Sequence, residues 1–163
     1  MLNLKNADKT VEFYLTIEDP PSNNPGSRWC LVKVIVIQGE QKFQQIYPAL
    51  QHLELVEILE WFRRLSKHKL PRFGRLSFTY PCLEFEFLAC DDEIIRISIG
   101  LRREMRPSFD LRQLNWTFDE WDIVFELGSV EFKTIIGNIQ TELTKIENFN
   151  LASGAKLSRS RLH

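Results

Sequence analysis

The sequence has few of the side chains from which metal sites and nucleophilic sites are built. Its cysteines and histidines are Cys30, Cys82, Cys90, His52, His68 and His163. No two cysteines form a C-x-x-C pair, and an odd number of cysteines is typical of a reducing compartment. His52 and His68 bracket a predicted helix, roughly four turns apart, so they cannot bind one ion together. We therefore expect no metal ion and no other cofactor.

Glycine-rich phosphate loops and long apolar runs are also missing. Gly74, Gly100 and Gly128 are isolated, and neither G-K-[ST] nor G-x-G-x-x-G occurs, so we do not expect nucleotide binding by these routes. No apolar run approaches the ~18 residues of a membrane span. The first residues, Met-Leu-Asn-Leu-Lys, show no signal-peptide core. These absences predict a cytoplasmic protein with no membrane partner.

The composition is that of an ordinary globular domain. Of the 163 residues, 44% are hydrophobic and 26% are charged, and this length suits one domain. The net charge is −1, but residues 151–163 carry Lys156, Arg159 and Arg161 and no acid, which leaves −1 − 3 = −4 for the remainder. We predict one α+β domain over residues 1–150 and a basic, disordered tail over 151–163. The alternative is a tail that touches nucleic acid or a partner.

The clearest secondary structure lies in residues 82–101. Apolar residues alternate with mostly polar ones through 83–89 and again through 95–101. A period of two predicts strands with one buried face, and the polar pair Asp91-Asp92 between them predicts the turn of a hairpin. The segment therefore predicts an antiparallel sheet with one apolar face that other elements must cover.

The remaining elements complete an α+β pattern. Further strands are predicted at residues 10–18, 29–37, 42–47, 74–79, 114–118 and 121–127. Apolar residues at helical spacing predict helices over 52–67 and 129–147, the second with Ser129 as N-cap. Gly137 costs the second helix about 1 kcal/mol relative to Ala and would allow a close approach to the sheet. We predict a mostly antiparallel sheet of six to eight strands with two amphipathic helices packed on its apolar side.

Few residues suggest catalysis. Cys90 lies beside Asp91 and Asp92, which would raise the pKa of its thiol and lower its reactivity. Glu84 and Glu86 share one strand face, as acid–base carboxylates can. Arg96 and Ser98 are expected opposite them, so cross-strand ion pairing is the simpler interpretation.

An arginine-rich segment covers residues 102–112. It contains Arg102, Arg103, Arg106 and Arg112, diluted by Glu104 and Asp110. Three interpretations of this segment remain open: a solvated loop, a contact with a partner, and a contact with nucleic acid.

Two acidic points are candidate partner-binding sites. They comprise Asp91, Asp92 and Glu93 at one turn, and Asp119, Glu120 and Asp122 near another, flanked by Trp116 and Trp121. Aromatic side chains beside carboxylates are typical of protein-binding surfaces. The alternative is that both tryptophans belong to the core and the acids are turn residues.

The order of elements has a further implication. A Trp-containing strand at residues 29–37 precedes a helix at 53–65, and a Leu-x-Phe-x-Phe strand at 83–87 leads through an acidic turn into Ile-x-Ile-x-Ile. A Phe-Glu-Leu strand at 125–127 then enters a terminal helix. This pattern, over residues 10–147, resembles the WapI-type immunity proteins of bacterial contact-dependent competition systems. Asp92-Glu93 stands where Asp-Gly is expected, and residues 102–112 and 148–163 have no counterpart.

The resemblance implies a cytoplasmic, non-enzymatic antidote. Such proteins bind the toxic C-terminal domain of a polymorphic toxin, often a nuclease, and occlude its active site or substrate path. An acidic body would suit a basic partner. Two other functions remain open: an adaptor or structural module, and an enzyme or ligand binder with a pocket around Glu84, Glu86 and Arg96.

Overall fold

The computed structural model describes residues 1–19, 29–91, 93–111 and 121–159. Within these ranges the chain forms eight strands and two long helices. The strands form two four-stranded antiparallel sheets, each with its strands in sequence order. The predicted α+β class with antiparallel strands and two helices is confirmed, although the strands form two sheets instead of one.

The first sheet is a meander of β1 (Leu2–Lys5), β2 (Val11–Asp19), β3 (Trp29–Gln38) and β4 (Gln41–Gln51). Alternate residues of β2 and β3, such as Phe13 and Val34, are fully buried on its inner face. Gly39, at a φ of +59°, begins the two-residue turn between the paired Gln38 and Gln41, a conformation that glycine adopts without steric cost. Strand β1 was not predicted, because four residues are too few to establish a period of two.

The second sheet contains β5 (Arg75–Ser77), β6 (Leu83–Cys90), β7 (Ile95–Leu101) and β8 (Asp122–Leu127). The predicted hairpin of β6 and β7 is confirmed, and the Asp91 N–H donates to the Ile94 carbonyl at 2.9 Å across its turn. The register shifts between Phe87 and Ala89, so Leu88 is an unpaired bulge residue. The strand predicted at 114–118 lies outside the described residues.

Helix α1 (His52–Leu65) joins the two sheets, and its first turn contains a buried carboxylate. The Glu54 side chain is buried; its carboxylate accepts from the Gln51 N–H at 2.7 Å and from the Thr79 N–H at 2.6 Å. The first bond satisfies a donor at the helix start. The second ties the helix to the segment after β5.

Helix α2 (Ser129–Arg159) begins one residue earlier than a Ser129 N-cap would require, since Ser129 is already its first helical residue. The Gly128 N–H donates to the Glu131 carboxylate at 3.0 Å, so Gly128 takes the cap position. A Cβ added at Gly137 would meet no atom within 4 Å, so this glycine does not serve a close approach. The backbone of α2 is helical as far as Arg159, and the basic, disordered tail over 151–163 stays a prediction. The division at residue 150 stays a prediction.

The core is held together by aromatic contacts between layers. Phe62 of α1 packs edge-on against Phe85 of β6 and Phe132 of α2, with ring centroids 6.2 and 6.3 Å apart. Phe13 of the first sheet lies 5.9 Å from Phe125 of the second. Offset and edge-on pairs of this kind stabilise a core beyond the area that they bury. Both sheets and both helices therefore contribute to one core.

Candidate protein-binding surface

The face of the second sheet turned away from the core carries a row of ion pairs. We call it the charged face and define it by Arg75, Glu84, Glu86, Arg96, Arg102, Asp122 and Glu126. Residues of β7 that point to the core alternate with those on this face, so the period of two seen in the sequence sets the arrangement. Carboxylates and guanidiniums are held in fixed positions across four adjacent strands.

Glu84 and Glu86 are paired across strands, as the simpler interpretation predicted, but with other arginines than expected. Arg75 reaches Glu86 at 2.9 Å and Glu84 at 3.5 Å, and Arg102 reaches Glu84 at 3.7 Å. Arg96 lies opposite Ala89 and pairs instead with Glu126 at 2.8 Å. The structure therefore does not bring Glu84, Glu86 and Arg96 together around a pocket.

The pairing across β7 depends on a glycine. Arg102 lies just beyond β7 and donates from Nη2 to Asp122 Oδ1 at 2.5 Å. A Cβ added at Gly100 would lie 2.6 Å from that oxygen and 2.9 Å from that nitrogen. Gly100 thus leaves the space in which the guanidinium crosses the strand. Sequence analysis classed this residue only as an isolated glycine, since its use depends on partners on two other elements.

The first acidic point is accessible. Asp91 and Glu93 are exposed at the β6–β7 turn, and Asp91 lies 3.2 Å from Arg96, which joins the turn to the charged face. Asp92 lies outside the described residues. The described carboxylates of this turn are thus placed where a partner could reach them.

The second acidic point is only partly described. Trp121 is 2% exposed and packs edge-on against Phe109, with centroids 5.3 Å apart. Asp122 is buried in its pair with Arg102. Trp121 therefore belongs to the core, whereas Asp122 is one of the ion-paired residues of the charged face. Trp116, Asp119 and Glu120 lie outside the described residues.

The arginine-rich segment is anchored to the first sheet. A 3-10 turn spans Arg103–Met105, and the Tyr80 hydroxyl donates to Glu104 at 2.7 Å and lies 3.2 Å from the Tyr47 hydroxyl of β4. The bond from Tyr80 holds the pKa of the Glu104 carboxyl below its usual value. Hydrogen bonds with Tyr47 and Glu104 raise the pKa of Tyr80. The described part of the segment thus follows β7 of the second sheet and contacts the first sheet through these hydrogen bonds; Arg112 lies outside the described residues.

The three thiols occupy different environments. Cys30 and Cys82 are buried, and burial raises the pKa of each thiol to about 12. Cys90 is exposed and its Sγ lies 3.5 Å from Nδ1 of His68, beside a cavity of about 10 Å³. Within the described ranges, no three Cys, His, Asp or Glu residues converge as a metal site would require.

Sequence analysis overlooked the loop between α1 and β5. No Asp or Glu occurs between Glu60 and Glu84, whereas the interval contains Arg63, Arg64, Lys67, Lys69, Arg72 and Arg75. The charge run itself was the available signal. The six cations are spread over 13 residues across the end of a predicted helix, so they do not stand out as the arginine-rich segment 102–112 does.

Comparison with known proteins identifies a family. The model of the immunity protein WapI-like family matches residues 3–147, which include every described strand except the first residue of β1, and most of α2. No curated protein and no solved structure matches the chain. Among the described residues, neither helix is both long and apolar enough to cross a membrane.

Proposed function

Because the chain belongs to the WapI-like immunity protein family, we propose that it neutralises a toxin by binding the toxin's C-terminal domain. The observation that carries this proposal is the extent of the family match, which covers the core formed by both sheets and both helices. An antidote of this kind acts by stoichiometric binding in the cytoplasm, where a delivered toxin would act. It requires neither turnover nor a cofactor.

The partner is a nuclease domain whose active site or substrate path is covered in the complex. A nuclease has to bind the phosphate backbone of its substrate, so we expect positive charge along its substrate path. The exposed carboxylates of Asp91 and Glu93 at the β6–β7 turn would face such a surface. Attraction between opposite charges would also accelerate association. Asp92, Trp116, Asp119 and Glu120, which lie outside the described residues, stay proposed partner contacts on the ground of charge and aromatic character alone.

Asp122 and Trp121 differ from Asp91 and Glu93 in that both are buried. Asp122 fixes Arg102 on the charged face, and Trp121 packs against Phe109. Substitution of either would disturb the fold as well as binding. Tests of the contact region therefore belong on exposed residues.

The proposal is tested by protection. The tagged chain is used to capture its partner from its native host at moderate salt, and the C-terminal domain of any large secreted protein that co-elutes is then cloned. Co-expression of the chain should restore growth of cells that produce this domain, and the two should form a one-to-one complex. An unrelated toxin domain serves as control. Recovery of housekeeping proteins alone, or continued growth arrest at equal expression, would favour an adaptor function instead.

A further inference from the structure

The loop that connects α1 to β5 combines exposed apolar side chains with positive charge. Leu70 and Phe73 are 69% and 57% exposed, and Lys67, Lys69 and Arg72 around them are exposed as well. We call residues 67–73 the basic loop. Large apolar side chains that remain in water beside charged ones are typical of binding surfaces when they occur together.

The backbone of the basic loop is fixed by the helix before it. The Arg64 guanidinium donates to the Leu70 carbonyl from Nε at 3.1 Å and from Nη2 at 3.0 Å. The buried Trp61 donates from Nε1 to the Phe73 carbonyl at 3.0 Å. Leu70 and Phe73 are therefore presented in a defined geometry. A binding element that is ordered before association loses less conformational entropy on binding.

Part of the positive charge is not neutralised within the described chain. Arg63 pairs with Glu60 at 2.6 Å and Arg75 with Glu86 at 2.9 Å. Among the described residues, Lys67, Lys69 and Arg72 have no carboxylate partner, and Arg72 lies 5.3 Å from the centre of the Phe73 ring. This surplus is complementary to carboxylates on another molecule.

The basic loop adjoins the acidic turn already proposed as a contact. Cys90 Sγ and His68 Nδ1 are 3.5 Å apart, and Asp91 follows Cys90 directly. The basic loop therefore lies beside the end of β6 that leads to Asp91 and Glu93, so exposed apolar, cationic and anionic side chains occur close together. Such a mixed pattern fixes orientation as well as attraction.

We propose that the basic loop is the element by which the chain docks on its toxin partner, with Leu70 and Phe73 entering an apolar recess bordered by carboxylates. This rests on the proposed function. A protein fits better than a nucleic acid, because the loop offers only Lys67, Lys69 and Arg72, and Asp91 and Glu93 nearby would repel phosphate. Proteins held by a phosphate backbone commonly neutralise about 6–10 phosphates.

The apolar part of the proposal is tested with matched serine substitutions. Leu70→Ser and Phe73→Ser are compared with Leu53→Ser and Val130→Ser, whose side chains are 69% and 71% exposed elsewhere on the surface. Calorimetric titration uses the toxin domain recovered by the native-host capture. Each loop variant should bind about 30-fold more weakly, as expected for removal of an interface anchor. The controls should bind as the unaltered chain does, and all four should keep its unfolding temperature.

The charged part is tested by charge reversal. Lys69→Glu with Arg72→Glu changes the net charge as much as Lys42→Glu with Lys133→Glu, two exposed lysines outside the basic loop. The first pair should slow association about tenfold at low salt, with the difference shrinking as salt is raised. The second pair should change the association rate much less.

The outcomes separate the two proposals. If the unaltered chain binds and neutralises the toxin domain while the loop variants bind as tightly as their controls, the basic loop is not the docking element and the antidote function stands. If the unaltered chain does not bind the domain at all, both proposals fail. Binding of a labelled RNA or of phosphatidylglycerol vesicles that is lost in the loop variants, with toxin binding unchanged, would assign the loop to those ligands instead.

Discussion

Arg102 Nη2 and Asp122 Oδ1 are 2.5 Å apart, and the pair crosses β7 directly over Gly100. The contact joins the end of β7 to the start of β8, and Arg102 also approaches Glu84 of β6 at 3.7 Å. One guanidinium thus links three neighbouring strands on the face opposite the core. The ion pair can take this position because residue 100 is a glycine and has no Cβ.

Replacement of Gly100 by Ala should destabilise the protein. The new Cβ would lie 2.6 Å from Asp122 Oδ1 and 2.9 Å from Arg102 Nη2, so the ion pair would have to move or break. We expect the free energy of unfolding to fall by about 1–3 kcal/mol, as for other overpacked sites. Urea denaturation measures it. A variant as stable as the original would show that the pair can shift at no cost.

Replacement of Gly137 by Ala should have the opposite effect. Gly137 lies inside α2, and an added Cβ would meet no atom within 4 Å. Alanine removes the entropic cost of glycine in a helix, so the free energy of unfolding should rise by about 0.5–1 kcal/mol. The same urea experiment serves, with Gly100→Ala as the matched substitution at a crowded site. A loss of stability would mean that α2 needs the glycine for a reason other than space.

Much of the fold could be predicted because the deciding signals are local. Alternation in residues 83–89 and 95–101 fixed both strands of the hairpin, and helical spacing placed α1 close to His52–Leu65. The division into two sheets could not be predicted, since the sequence does not show whether the strands before α1 pair with the strands after it. Likewise, Glu54 has the spacing of a surface residue, and only the distant Thr79 N–H explains its burial.

The candidate site was less predictable than the fold. Charge and aromatic content alone could not distinguish Trp121, which packs in the core, from an accessible side chain such as Phe73. Both lie next to charged residues in the sequence. The two residues differ in their tertiary contacts. The ring of Phe109 covers Trp121. The Trp61 indole instead donates a hydrogen bond to the backbone carbonyl of Phe73, which fixes the backbone while the Phe73 ring stays exposed to solvent.

In the native protein, Cys90 should react with thiol reagents much faster than the other two cysteines. Cys90 is exposed, whereas Cys30 and Cys82 are buried and their thiol pKa values are raised to about 12. Because the thiolate is the reactive form, burial and a raised pKa both slow the reaction. Titration with a chromogenic disulfide should show one fast thiol, which Cys90→Ser removes, and three thiols after unfolding. Two fast thiols would contradict the burial of one of the others.

Stability should decline in alkaline solution because of these two buried thiols. Folding raises the pKa of each from 9.0 to about 12, so the folded protein keeps protons that the unfolded chain loses. The contribution of each thiol to the free energy of unfolding is complete below pH 9. It is lost as pH rises from 9 towards 12, by up to about 1.4 kcal/mol per thiol and pH unit.

Single substitutions isolate that contribution from other titrating groups. Urea denaturation between about pH 8 and 10 should give a shallower decline for Cys30→Ala and for Cys82→Ala than for the unaltered protein. Cys90→Ala, at the exposed thiol, is measured alongside for comparison. The quantity compared is the slope and not the stability itself, since alanine also leaves a small cavity. Equal slopes in all four proteins would contradict the raised pKa values.

Charge reversal at the β6–β7 turn should slow association with the toxin domain without unfolding the chain. Asp91→Lys with Glu93→Lys places positive charge where we propose that a basic partner approaches, and both residues are exposed. The association rate should fall about tenfold at low salt and by less at high salt. Glu40→Lys with Glu147→Lys, at exposed positions outside the proposed contact region, is the control with the same change in net charge. If the two variants associate at the same rate, only the overall charge matters and the turn does not lie at the interface.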